Sequence, residues 1–124
     1  MKKISYVNLP AQSYDERKEV FKIFKKIFLS GNFILGDQVE KFEQKICNYL
    51  KVNNCVALNS GTDALTLGLY LLGVKKGDEV ITPPNSFIAS TASIAHLGAV
   101  PIFADISDDL NIDPLEIEKK ITKK

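Results

Sequence analysis

Hydrophobic residues recur every third or fourth position through the first fifty residues, then gather into short runs separated by glycine, proline and acids. Val20, Phe21, Phe24, Ile27 and Phe28 fall at helical spacing behind Ser13 and Glu16, an S-x-x-E capping box, and Gly31 is the natural stop. After the loop "SGNFILG", Asp37 with Glu40 repeats the capping logic, and Val39, Phe42, Ile46, Tyr49 and Leu50 line one face of a second helix. These two helices are expected to form an N-terminal arm over residues 1–52, ahead of a main domain over residues 53–124.

In the second region the period changes. "CVAL" (55–58), "VIT" (80–82) and "VPIFADI" (100–106) predict strands. Between them, residues 64–73 predict a helix closed by Gly73, "KKGDE" a turn, and residues 86–97 a helix ended by Gly98. Asp113, Pro114 and Glu116 mark a further helix start, with a cap, a proline at the first helical position and an acid in the first turn. Strands alternating with helices imply parallel pairing through right-handed crossovers, and continuous apolar strands suit a sheet covered on both faces. The expected class is α/β, a mainly parallel sheet preceded by a helical arm. Three parallel strands are a small sheet for this class, and the last helix stops where another strand is expected. The chain therefore reads as the front portion of a larger protein; a small domain that covers its edges by oligomerising is the alternative.

Composition narrows the function classes. The 124 residues are 45% hydrophobic and 25% charged with a net charge of +1, the balance of an ordinary soluble domain. A broad basic surface for nucleic acid or membrane is not indicated. Lysines cluster at Lys22, Lys25 and Lys26 and at Lys119, Lys120, Lys123 and Lys124, interleaved with apolar or acidic residues as on a solvated helix face. Cys47 and Cys55 form no CxxC pair and have no neighbouring histidine, so metal binding is not expected and a reduced cytoplasmic compartment fits. The start "MKKISYVNLP" is charged but lacks a following apolar core of signal-peptide length. Residues 80–104 carry no Asp, Glu, Lys or Arg, yet prolines, Asn85, His96 and several hydroxyl residues interrupt the roughly 20 apolar residues a span needs. A buried strand–helix–strand unit explains that stretch better.

Ligands of open α/β sheets bind beyond the carboxyl ends of the strands, where "NSGTD" (59–63), "TPPNSF" (82–87) and "ADIS" (104–107) lie. Gly61 has no side chain to block an approach, Ser60 and Thr62 offer hydroxyls, and the N–H groups of Thr62, Asp63 and Ala64 would sit at a positive helix end. The Asp63 carboxylate would repel a phosphate and must face away. The same residues also read as a plain cap, Ser60 with Asp63 completing the box. Phe87 could lie against a planar ring or simply join the core. Asp105 could meet a ligand group or cap the next turn, and His96, inside an apolar helix, reads as a core histidine.

The strings "SGTDAL", "GDEVITP", "NSFIAS" and "NIDP", in that order, resemble the DegT/DnrJ/EryC1/StrS family of pyridoxal-phosphate-dependent nucleotide-sugar aminotransferases. "SGNFILGDQVEKFEQKI" and "VNLP" upstream match as well, so the resemblance covers nearly the whole chain; Ser86 stands where the family usually has Thr. It implies part of the large domain of a fold-type I, aspartate-aminotransferase-like enzyme. It further implies that Gly61, Thr62 and Asp63 bind the 5′-phosphate of pyridoxal 5′-phosphate, that Phe87 packs on the pyridine ring, and that the loop from Gly31 to Gly36 lies near the substrate and dimer interface. The family's Schiff-base lysine and the acid that pairs with the ring nitrogen are expected beyond residue 124, so no catalytic residue is assigned here. The implied activity is amino transfer, typically from glutamate, to a keto-sugar nucleotide by a cytoplasmic homodimer that binds neither nucleic acid nor membrane. A sugar dehydratase of the same family, or a truncated non-catalytic binding module, remains the alternative.

Overall fold

The computed structural model describes residue 4 and residues 6–123, so Met1, Lys2 and Lys3 of the charged start and Lys124 of the last lysine cluster lie outside the described residues. The chain falls into two units, Met1–Ala57 and Leu58–Lys124.

The first unit holds three helices: α1 (Leu9–Gln12), α2 (Arg17–Ser30) and α3 (Asp37–Leu50). Neither expected capping box forms. The Asn8 side chain accepts the Ala11 N–H and starts α1, and Ser13 becomes the C-cap of that helix, with its hydroxyl turned to the Leu9 carbonyl at 3.4 Å. At φ −94° and ψ 4° Ser13 is far from the extended backbone an N-cap needs, so α2 begins at Arg17 with no side-chain cap. Likewise the extended Gly36 takes the cap of α3, which makes Asp37 the first helical residue. Its carboxylate meets Lys41 Nζ at 3.0 Å and Lys26 Nζ at 3.6 Å. The Lys41 hydrogen bond, helped by Lys26, holds the Asp37 carboxyl below its ordinary pKa. Gly31 closes α2 as expected, at φ +69°, with its N–H on the Ile27 carbonyl. Lys22, Lys25 and Lys26 are exposed on α2, and Phe24 and Phe28 stack at 6.1 Å on a face open to solvent in this chain.

In the second unit, the parallel strands β1 (Glu79–Thr82) and β2 (Val100–Phe103) pair with Glu79 opposite Val100 and Thr82 opposite Phe103. Helix α5 (Ala89–His96) joins them and packs on both, while α4 (Gly61–Leu71) packs on α5. The charge-free stretch 80–104 is thus the expected strand–helix–strand unit, and no helix among the described residues is long and apolar enough to cross a membrane. Ala89, Ile94, Ala99 and Ala104 form the buried apolar centre, joined by Thr82 and Ser93. Gly73 and Gly98 take φ +90° and +72° just past the two helices, the left-handed stops their positions call for. Helix α6 (Pro114–Lys120) opens on the Asp113 cap, and Lys119 of its last turn bonds Glu116.

Residues 55–58 correct one expectation: they are not a strand, and Val56 is 73% exposed. A strand exists through its partner, and no neighbouring strand offers this run a ladder. The run 100–106 also ends early as a strand, at Phe103; Ile106 instead makes an isolated antiparallel bridge to Ile112.

Candidate active site

The start of α4 carries the local geometry that matters most. Ser60 is extended, at φ −152° and ψ 156°, and its Oγ accepts the Asp63 N–H at 3.1 Å. The same hydroxyl donates to Asp63 Oδ2 at 2.8 Å, which completes a reciprocal box and holds the carboxylate at the cap. The Ser60 carbonyl accepts the Ala64 N–H at 3.1 Å. Two first-turn amides, those of Gly61 and Thr62, are left with no acceptor among the described residues. The amide donors therefore lie one residue earlier than the expected Thr62, Asp63 and Ala64, because the helix begins at Gly61. Plain cap and anion cup are not exclusive here: the cap consumes one amide and leaves two at the positive end of the helix.

The residues present fit a phosphate. A β-carbon on Gly61 would meet nothing within 4 Å, so the space in front of its amide is open to a ligand. Thr62 is half-buried beside it, and its carbonyl is bonded by Thr66 Oγ1 at 3.0 Å, which steadies the first turn. Asp63 also borders an open apolar depression of about 340 Å³ with Leu58, Leu67 and Leu97.

Phe87 is 77% exposed, so it is not the core residue it could have been. It lies two residues before α5, where its carbonyl accepts the Ser90 N–H and Ser86 Oγ meets Ser90 Oγ at 2.9 Å. Leu65 of α4, Thr82 at the end of β1 and Ser90 of α5 line one cavity. The first turns of both helices and the carboxyl end of β1 thus share one edge of the unit, and that edge carries Gly61, Thr62, Asp63 and the loop of Phe87.

Two other candidates resolve differently. Asp105 is exposed and its Oδ1 accepts the Ile106 N–H at 2.8 Å, the local capping role. His96 is exposed in the last turn of α5, not a core histidine as expected, because the buried face of that helix is made by Ala89, Ser93 and Ile94. Cys47 and Cys55 are free, half-buried thiols.

Sequence reasoning missed Glu43. It lies half-buried on α3 with Val39, Ile46 and Cys47, whereas Phe42, Tyr49 and Leu50 of the expected stripe are exposed. Its Oε1 accepts the Ala57 N–H at 2.7 Å. The available signal was an acid placed four residues after Val39 and three before Ile46, inside an apolar stripe.

Comparison with known proteins agrees with the quoted strings. The profile of the DegT/DnrJ/EryC1/StrS aminotransferase family matches residues 14–124. A dTDP-3-amino-3,6-dideoxy-alpha-D-galactopyranose transaminase of Aneurinibacillus thermoaerophilus is 37% identical over 122 residues, covering 98% of this chain and 34% of that protein. The X-ray structure of DesV from S. venezuelae, in complex with a ketimine intermediate, superposes with a TM-score of 0.93 at 35% identity, over 99% of this chain and 33% of that one. The crystal structure of NtdA from Bacillus subtilis with bound cofactor PMP superposes with a TM-score of 0.84 at 37% identity, over 98% and 29% of the two chains. This chain spans about a third of the length of the curated relatives it matches.

Proposed function

Because this chain belongs to the DegT/DnrJ/EryC1/StrS aminotransferase family, we propose that it is the front part of a pyridoxal-phosphate-dependent transaminase acting on a keto-sugar nucleotide. The observation that carries the reading is the pair of acceptor-free amides on Gly61 and Thr62, at an open helix start, in a chain whose structural relatives include a PMP-bound aminotransferase. Bound there, the cofactor would supply the electron sink that amino transfer needs.

The chain's own residues would bind and orient it. The Gly61 and Thr62 amides and the Thr62 hydroxyl would donate to phosphate oxygens, where the helix end favours negative charge. The Ser60 hydroxyl would keep the Asp63 carboxylate, a like charge, turned back to the cap. Phe87, exposed on the same edge, would offer its ring face to the pyridine. Asp63 therefore acts through its place in the cap rather than as a donor, since Ser60 already holds its N–H. The remaining proposals are that glutamate is the amino donor, that the Schiff-base lysine comes from sequence beyond residue 124, and that the enzyme is a cytoplasmic homodimer. The large apolar side chains exposed in this chain, Phe21, Phe28, Leu71 and Leu72 among them, would be covered in that assembly.

The test uses the full-length protein. It is expected to purify with a visible absorbance band that borohydride removes, and to move an amino group from glutamate to a keto-sugar nucleotide. A full-length protein that neither binds pyridoxal phosphate nor transfers an amino group would overturn the reading.

A further inference from the structure

Between α3 and α4 the chain runs through residues 53–59 without regular structure, and one backbone amide there, that of Ala57, is hydrogen-bonded among the described residues. Its partner is the Glu43 carboxylate, 14 positions back, at 2.7 Å. A short bond from a backbone N–H to an ionised oxygen is among the stronger hydrogen bonds available to a chain. No lysine or arginine forms an ion pair with Glu43 among the described residues, so the amide is the carboxylate's partner. Putting an acid on the half-buried face of α3 costs desolvation that an apolar residue would avoid, and this bond is what offsets it.

The place of that clamp gives it a use. Ala57 precedes Ser60 by three residues, a reach of about 10 Å at full extension. An unpaired stretch of this length samples many conformations unless it is held. Holding it at Ala57 leaves few ways for the chain to enter the Ser60 cap, and with it the Gly61 and Thr62 amides.

We propose that Glu43 is a positioning residue for the phosphate cup: through the Ala57 amide it restrains the strand of chain that delivers Ser60, Gly61 and Thr62 to the ligand. This inference rests on the phosphate-binding reading of the α4 start. It goes beyond that reading by assigning a cofactor-affinity role to an acid on a different helix that touches no ligand.

The test titrates the full-length apoprotein with pyridoxal phosphate, followed by cofactor absorbance, alongside thermal melting of the same apoproteins. Glu43→Ala is expected to weaken binding about tenfold, and Glu43→Gln, which keeps an acceptor oxygen in place, to recover most of the loss. A merely structural role would lower the melting temperature of Glu43→Ala and leave the affinity of the folded protein as it was; that outcome overturns the inference. Should Glu43→Ala not fold, Glu43→Asp carries the test, because one methylene less withdraws the carboxylate from Ala57; unchanged affinity there overturns the inference too. Gly61→Val in the same titration separates the two ideas. If it weakens binding while the Glu43 variants do not, the positioning role fails and the cup stands. If Gly61→Val binds as tightly as the parent, the cup itself is wrong.

Discussion

Helices α4 and α6 both open on a side chain that accepts a first-turn amide, and both carry an acid at the third helical position, yet they present opposite chemistry to an anion. In α4 the Ser60 hydroxyl takes the Asp63 N–H and receives the Asp63 carboxylate, so a neutral cap also turns away the local negative charge. Gly61 and Thr62 keep their donors, with open space before them. In α6 Pro114 has no N–H to give, and the Asp113 carboxylate occupies the Leu115 amide at 2.8 Å. Its acid Glu116 looks forward, to Lys119. One helix start has spent its donors and placed a charge in front of them; the other has kept two and cleared the way. Capping alone does not mark an anion site. What marks it is which of the first two amides survive the cap.

The strongest way to break the contrast is to make α4 begin as α6 does. Gly61→Pro removes one donor and fills the open space, while the extended Ser60 before it tolerates a following proline. In the full-length protein we expect pyridoxal phosphate affinity to fall about 100-fold. The melting temperature of the apoprotein should stay within a few degrees, since the first helical position suits proline; titration and calorimetry check the two halves. Thr62→Ala removes only the hydroxyl, and an affinity loss of about fivefold, near 1 kcal/mol, is expected from the same titration.

Ser60→Ala and Asp113→Ala sharpen the comparison at the level of stability. Each should cost about 1 kcal/mol in urea unfolding, the ordinary worth of a cap. Only Ser60→Ala should also weaken cofactor binding, because it frees the Asp63 carboxylate to face the phosphate. Equal affinity in both variants would mean that Ser60 is a cap and nothing more.

The smallest effect concerns the third kind of start, α3, where Gly36 caps without a side chain and Asp37 serves two lysines. The folded-state pKa of Asp37 lies below its unfolded value, so its contribution is fully present above the unfolded value and is lost as pH falls through the folded one. The urea midpoint should therefore decline slightly more steeply on acidification than in Asp37→Asn.

Much of this molecule is legible in its sequence where local chemistry decides the outcome. Glycine stops at Gly31, Gly73 and Gly98 appear where expected because little else tolerates the left-handed backbone they adopt. The Asp113–Pro114 start forms as read, since a proline and a capping acid leave few alternatives. Residues 55–58 fail as a strand because pairing is not a local property, and their apolar pattern says nothing about whether a partner is at hand. The Ser13 and Asp37 boxes fail for a related reason. Asn8 and Gly36 compete for the cap, and the backbone at each position decides the winner.

The cup was legible in its residues but displaced by one position in its donors. The pattern locates a helix near Ala64, whereas the amides that count depend on the first residue to turn helical, which is Gly61. Glu43 was not legible at all as part of the cup's surroundings. Its bond spans 14 residues, and no spacing rule connects it to Ala57.

The central claim is that the Gly61 and Thr62 amides take the phosphate of pyridoxal phosphate. A crystal structure of the full-length protein with that cofactor tests it most directly. Phosphate oxygens about 3 Å from both amide nitrogens, with the Phe87 ring beside the pyridine, are the expected result. A phosphate held by other groups, with the α4 start facing only solvent or protein, would contradict it.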